Sequence, residues 1–410
     1  MEYVIIGNGV AGIHAAEAIR RQDPAGPITL VGDETFLPYC RPMISMVLEG
    51  AVPMERLPIR GADYYEKLGI TPVLGRRVTS IDVDARRVHL PGHPAGIPFD
   101  RLLIASGADP RPIKADGLDL EGIFYMRTEA QVRAMLETLP SVKNALVLGG
   151  GLVGFKAAYG LVRRGVRVTQ LIRSDYPLSM QVDRTAGEMI LAELVRKGLD
   201  VRVGVAATGF FGRGRVEGAR LSDGSELGCD MVVIGKGVLP ALSFVPRDRI
   251  DIDLGILVDA HMETCVPGIY AAGDAAEFFD IARKTRWVNA IWPEAVIQGR
   301  TAGMNMAGRP VALQGSLSRN VIRIFDMDIM TGGWVDPPDS EGFQVVRRID
   351  RRSGAYRKLV LDGDRLVGAV MVNHIEQGGL LIALIQRQAP LRMSGEKLIS
   401  TGFNYRQLLN

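Results

Sequence analysis

Short apolar runs alternate with helical patterns through the first 310 or so residues, and glycines punctuate the boundaries. Val4 to Ile6, Ile28 to Val31, Leu102 to Ala105, Ala145 to Leu148, Val166 to Ile172 and Met231 to Ile234 are apolar on both faces, the pattern of strands inside a parallel sheet. Strands of this kind interleaved with helices predict βαβ units. After about Leu313 the rhythm changes. Phe343 to Ile349, Tyr356 to Leu361 and Leu366 to Val372 read as a three-stranded meander, joined by the turns Arg352-Ser353-Gly354 and Asp362-Gly363-Asp364, with a helix over Gly378 to Arg387. The expected fold class is α/β, with two Rossmann-like domains followed by a C-terminal α+β domain.

The chain has 410 residues, enough for two to four domains, and its 47% hydrophobic and 23% charged residues are ordinary globular values. The longest apolar stretches, such as Gly378 to Ile385, fall well short of the roughly 20 residues a membrane helix needs. The N-terminus enters a strand at once and shows no secretory signal, so a cytoplasmic location is expected. A net charge of +3 without basic residues interleaved with aromatics argues against a nucleic-acid partner. Cys40, Cys229 and Cys265 are too few and too scattered for a disulfide framework or a metal site, so no metal is expected and electrons need a route other than a cysteine pair.

Two glycine fingerprints carry the chemistry. Gly7-Asn8-Gly9-Val10-Ala11-Gly12 follows a strand and opens a helical pattern; its glycines permit a tight turn and let backbone N–H groups approach a pyrophosphate at the positive end of the helix. The next strand ends at Asp33-Glu34, where a carboxylate can accept hydrogen bonds from an adenosine ribose. Gly149-Gly150-Gly151-Leu152-Val153-Gly154 repeats the arrangement, so two dinucleotides are expected in one chain. Here the second strand ends at Ile172 and runs into Arg173-Ser174: the acid that would favour the 2′-hydroxyl of NAD is missing, and an arginine can meet the 2′-phosphate of NADP. The bland alternative is that Arg173 is a solvated charge after a strand.

The ordered motifs resemble the FAD-dependent pyridine nucleotide–disulfide oxidoreductase superfamily, in its branch of rubredoxin and ferredoxin reductases, nitrite reductase large subunits and apoptosis-inducing factor. Besides the fingerprints, the resemblance rests on Leu37-Pro38-Tyr39-Cys40-Arg41-Pro42, on Phe99-Asp100-Arg101-Leu102-Leu103-Ile104-Ala105-Ser106-Gly107, and on Ile269-Tyr270-Ala271-Ala272-Gly273-Asp274. It implies FAD contacts at Gly7, Gly9, Val10, Ala11, Gly12, Asp33, Glu34, Arg41, Val78, Ala105, Gly107, Arg127, Gly273 and Asp274, with Ile291-Trp292 starting a helix aimed at the flavin pyrimidine. For NAD(P) it implies Gly149, Gly151, Leu152, Val153, Gly154, Arg173 and Gly237. The expected domains are 1–112 and 245–315 for FAD, 113–244 for NAD(P) and 316–410 for a C-terminal domain like that of rubredoxin reductases.

The chain departs from the resembled family in two respects. It lacks the redox cysteine pair, and Cys40 reads as a small packed residue. Where relatives place a lysine and a glutamate beside the reactive edge of the flavin, this chain has Met46 and Lys156, so Lys156 is the candidate catalytic cation, with a solvated side chain as the alternative. The implied activity is hydride transfer between NAD(P)(H) and FAD and single-electron exchange with an acidic iron–sulfur protein, or with an iron–sulfur subunit of a larger assembly such as an aldehyde oxidoreductase or nitrite reductase. The basic side chains Arg347, Arg348, Arg351, Arg352, Arg357 and Lys358 around one hairpin are the candidate docking patch. Two other classes remain open at this point: an NAD(P)H oxidase or small disulfide reductase, and an NAD(H)-sensing interaction protein.

Overall fold

Tyr3–Ile6 becomes the central strand of a five-stranded sheet in the computed structural model, which describes residues 1–338, 342–400 and 403. The strand order is Ile269–Ala271, Arg101–Ile104, Tyr3–Ile6, Ile28–Gly32, Ile70–Leu74, and every neighbouring pair is parallel. Ile5 lies opposite Leu30 and Leu103, and all three are fully buried, which is why these strands read as continuous apolar runs. Helix Val10–Gln22 packs against helix Trp292–Met306, and the approach is close because the second helix presents glycines. A Cβ on Gly299 would stand 2.2 Å from the Ala11 carbonyl oxygen, and one on Gly303 would stand 2.4 Å from that of Ala15. These elements, with an antiparallel sheet of Ser80–Asp82, Arg87–Leu90 and His93–Pro98, form one unit of residues 1–40, 56–109 and 239–318.

The second unit comprises residues 41–55, 110–238 and 319–410. Its parallel sheet runs Asp200–Val203, Arg167–Ile172, Asn144–Leu148, Met231–Ile234, Ile123–Tyr125. Helix Leu152–Arg163 follows the central strand, and the short helix Ile44–Glu49 rests on it where Gly160 leaves room for Leu48. The Arg164 Nε donates to the Leu48 carbonyl at 2.9 Å and ties the two together.

The C-terminal part of this unit holds five antiparallel strands where the sequence pattern predicts three. The expected meander is present as Gln344–Asp350, Ala355–Asp362 and Arg365–Val372, followed by helix Gly378–Arg387. Before it, Arg319–Ile324 and Met327–Gly333 form a further hairpin that joins the sheet through Arg365–Val372. Its turn contains no glycine: Phe325 adopts the left-handed region, φ 51°, and its ring packs edge-on against Tyr159 at 5.0 Å. The usual hairpin signal is therefore missing, and tertiary packing holds the turn.

The C-terminal sheet is tied to the nucleotide-type sheet of the same unit by a buried charged cluster. Asp183 caps helix Arg184–Arg196 by accepting from the Ala186 N–H. Its other oxygen accepts from the Tyr356 hydroxyl at 2.6 Å and lies 3.4 Å from the Lys358 Nζ and 3.5 Å from the Arg347 Nε. Burial, then the bond to Asp183, pushes the Tyr356 phenol well above its ordinary range.

Candidate functional site

The two fingerprints fold into loops with matching local geometry. Gly7 and Gly149 have φ of 122° and 123°, a region that only glycine enters without strain. Each is pinned by its own N–H, Gly7 to the Val31 carbonyl at 2.8 Å and Gly149 to the Leu171 carbonyl at 2.9 Å. A Cβ on Gly7 would fall 2.0 Å from the Ala105 oxygen, and one on Gly149 would fall 2.2 Å from the Gly235 oxygen. The last glycines, Gly12 and Gly154, would strike the carbonyls of Gly7 and Gly149 at 2.0 and 2.2 Å. The middle glycines differ: a Cβ on Gly9 or Gly151 would meet nothing within 4 Å. Those two glycines thus guard space above the loop rather than packing below it.

Gly9 and Gly151 are also the N-caps of helices Val10–Gln22 and Leu152–Arg163, both extended and neither with a side-chain cap. Three other helices do have side-chain caps, from Thr128 with Gln131 in a capping box, from Asp183 and from Ser394. N–H groups left open above a bare glycine form an anion cradle at the positive end of a helix dipole. This arrangement fits a dinucleotide pyrophosphate at each loop.

The first unit contains Gly7, Gly9, Val10, Ala11, Gly12, Asp33, Glu34, Val78, Ala105, Gly107, Gly273, Asp274, Ile291 and Trp292, with Ala105 against Gly7 and Gly273 against Ala11 at the first loop. Asp33 is exposed just past the strand Ile28–Gly32, and the half-buried Glu34 carboxylate accepts from the Tyr39 hydroxyl at 2.7 Å. Val78 and Ala105 are buried. Gly273, with φ 74°, begins the turn carrying Asp274, and its N–H donates to the buried Gln298 Oε1 at 2.8 Å. Ile291 is the extended N-cap of helix Trp292–Met306, again with no side-chain cap and with Pro293 in the first turn, where its missing N–H costs nothing. Arg41 and Arg127 belong to the second unit, where Arg41 donates to the Arg127 carbonyl at 2.7 Å.

The second unit contains Gly149, Gly151, Leu152, Val153, Gly154, Arg173 and Gly237. Arg173 is exposed at the end of Arg167–Ile172, and Ile172 is fully buried beneath Gly150. Lys156 lies half-buried on helix Leu152–Arg163, and Met46 is 37% exposed on helix Ile44–Glu49.

Several residues that shape these loops carry no sequence motif. Gln170, fully buried in a strand, donates through Nε2 to the Gly149 carbonyl at 2.8 Å and fixes the first turn of the loop. The Leu178 N–H donates to the Gly150 carbonyl at 2.7 Å, folding the segment after Arg173 back over the loop. Gln298, Gly299 and Gly303 do comparable work in the first unit. A small-x-x-x-small spacing was the available signal for the last two.

The basic hairpin differs from expectation. Lys358 is 1% exposed and ion-paired to Asp336 at 2.8 Å, because its strand faces the buried Asp183 cluster. Arg357 is half-buried and donates to Gln377, and Arg347 leans on Asp183, leaving Arg348, Arg351 and Arg352 as the outward-facing cations of the six.

The three cysteines form no disulfide, and burial, with Asp230 nearby, pushes the Cys229 thiol up to about 12. Among the described residues no helix is long and apolar enough to cross a membrane.

Two glycine cradles on parallel sheets, in one chain, define a flavoprotein oxidoreductase that binds two dinucleotides. The chain belongs to the pyridine nucleotide-disulphide oxidoreductase family, whose profile matches residues 1–299; a rubredoxin NAD+ reductase C-terminal domain matches 319–389. The chain is 30% identical, over 95% of its length and 92% of the relative's, to the NADH-dependent phenylglyoxylate dehydrogenase subunit epsilon of Aromatoleum evansii. It is 29% identical to nitrite reductase [NAD(P)H] of Bacillus subtilis (strain 168), over 95% of this chain but only 48% of that protein, so it spans about half that relative's length. Among solved structures, the covalent putidaredoxin reductase–putidaredoxin complex matches with a TM-score of 0.89 and 25% identity, covering 100% of this chain and 98% of that one.

Proposed function

We propose that the chain passes hydride between NAD(P)(H) and FAD and then exchanges single electrons with a small iron–sulfur protein or iron–sulfur subunit. The observation that carries this reading is the pair of matched glycine cradles in a chain whose three cysteines form no disulfide. Two dinucleotide sites supply a hydride donor and acceptor, and without a dithiol relay the electrons leave directly from the flavin. The relatives support the partner class: one is a subunit of a dehydrogenase and another is a reductase seen joined to putidaredoxin. The proposed domain limits are 1–112 and 245–315 for FAD, 113–244 for NAD(P) and 316–410 for the C-terminal domain.

FAD, when bound, accepts hydride and releases electrons one at a time. The residues of this chain bind and orient. Gly7, Gly9 and Gly12, with Val10 and Ala11, offer N–H groups to the FAD pyrophosphate; Asp33, Glu34 and Asp274 accept from sugar and ribityl hydroxyls; the N-terminus of Trp292–Met306 offers N–H groups to the flavin ring. Gly149, Gly151, Leu152, Val153, Gly154 and Gly237 do the same for NAD(P), Arg173 reads the 2′-phosphate, and Lys156 supplies a positive field beside the reacting rings. No acid or base is required, since hydride transfer needs stacking and orientation alone.

Anaerobic mixing of the FAD-loaded chain with NADH or NADPH, followed by addition of a rubredoxin or a [2Fe–2S] ferredoxin, tests the proposal. Flavin bleaching on the first addition and bleaching of the iron–sulfur chromophore on the second are expected. Rapid oxygen or disulfide reduction with no transfer to any iron–sulfur protein would instead place the chain with the oxidases or small disulfide reductases.

A further inference from the structure

Two cations flank the second glycine loop from opposite sides. Arg173 follows the strand Arg167–Ile172, and Lys236 follows the strand Met231–Ile234; both strands pair with Asn144–Leu148, which runs into the loop between them. Lys236 is drawn close by the chain itself. The Gly235 N–H donates to the Leu148 carbonyl at 2.7 Å, and the Lys236 backbone nitrogen lies 3.4 Å from where a Gly149 Cβ would stand. Among the described residues neither side chain has an ion-pair or hydrogen-bond partner, although Lys236 is half-buried. Burial, and then repulsion from Arg173, hold the Lys236 ammonium below the ordinary lysine range. An unpaired, half-buried lysine is costly unless something anionic meets it.

We propose that Lys236 is the pyrophosphate-binding cation of the second glycine loop, acting across it from Arg173. The inference rests on the reading of that loop as the NAD(P) site. Strand order divides the work: Arg173 stands at the end of the strand that meets the adenosine ribose, whereas Lys236 stands against the turn whose open N–H groups receive the diphosphate. Two cations facing each other over a bare loop repel, and a diphosphate between them turns the repulsion into charge-assisted contacts. Lys236 therefore supports NAD and NADP alike, while Arg173 distinguishes them.

Calorimetric titration of the FAD-loaded chain with ADP-ribose, which carries the pyrophosphate alone, and with adenosine 2′-monophosphate, which carries the 2′-phosphate alone, separates the two roles without turnover. Lys236→Met should weaken ADP-ribose about tenfold or more, the worth of one charged hydrogen bond, and leave adenosine 2′-monophosphate within about twofold. Lys236→Arg should restore most of the ADP-ribose affinity, and both variants should melt like the wild type. Wild-type ADP-ribose affinity in Lys236→Met, or equal weakening of both probes, overturns the assignment. If the wild-type chain binds neither ADP-ribose nor NAD(P)H, it is the underlying reading of the loop that fails.

Discussion

Asp274 lies half-buried in the turn Gly273–Ala275, directly after a fully buried strand. A charged acceptor for a ribityl hydroxyl is worth roughly 1.5–3 kcal/mol, so Asp274→Ala should weaken FAD binding by about ten- to a hundredfold. The flavin-to-protein ratio after purification checks this, and a full complement of flavin would refute it. The role proposed for Arg173 bears on a second quantity. Exposed beside the buried Ile172, this arginine can meet a 2′-phosphate but has nothing to gain from a 2′-hydroxyl. Arg173→Ala should lower the NADPH-to-NADH ratio of kcat/KM about tenfold, with the NADH value little changed. Steady-state kinetics with the two nucleotides decides it, and an unchanged ratio removes Arg173 from the choice.

Among the elements, helix Trp292–Met306 carries the most structural consequence, because its seat against Val10–Gln22 depends on Gly299 and Gly303. Gly299→Ala puts a methyl 2.2 Å from the Ala11 oxygen, so one helix must move. Overpacking of this kind costs about 1–3 kcal/mol, and the displaced helix also disturbs the first glycine loop. A lowered Tm together with weaker FAD retention is expected in thermal melts monitored by flavin fluorescence; wild-type values for both would show that the helix pair is more tolerant than its geometry implies. In the other unit, Lys358 plays the corresponding part for the C-terminal sheet. Lys358→Met leaves the buried Asp183 with Arg347, 3.5 Å away but half-exposed, as its remaining cation, and breaking a buried pair costs about 3–5 kcal/mol. Denaturant unfolding should show a loss of that order, while a variant as stable as the wild type would mean that Asp183 is satisfied without the lysine.

At the scale of the whole molecule, the question is how electrons leave. Arg348, Arg351 and Arg352 face solvent on the hairpin between Gln344–Asp350 and Ala355–Asp362, while their neighbours Arg347, Arg357 and Lys358 are drawn into contacts with the unit. The steering patch is thus three cations rather than six. If an acidic iron–sulfur partner approaches this face, its reduction slows as salt shortens the Debye length to about 10 Å at 0.1 M, while hydride transfer from NAD(P)H to FAD holds steady. Reversal of charge at Arg351 and Arg352 should reproduce the high-salt rate at low salt. Stopped-flow measurement of partner reduction checks this, and a wild-type rate in the double variant assigns docking to another surface.

What the sequence determined by itself is the part of the protein written in local chemistry. The Gly7–Gly12 and Gly149–Gly154 loops, the buried parallel strands and helix Gly378–Arg387 were legible because backbone φ, continuous apolar runs and helical spacing leave their marks on neighbouring residues. Tertiary structure decided what depends on residues far apart in the chain. The hairpin at Phe325 has no glycine to announce it because its turn is held by the Tyr159 ring. Gln170 and Gln298 are polar residues in buried positions, and only the folded chain shows that each holds a glycine of a cofactor loop. Lys358 looks like its basic neighbours until strand pairing turns it inward toward Asp183, and Lys236 looks like any surface lysine until the sheet sets it across the loop from Arg173. Sequence spacing carries the periodicity of one element; the direction in which a side chain faces its distant partners is fixed only when the elements pack.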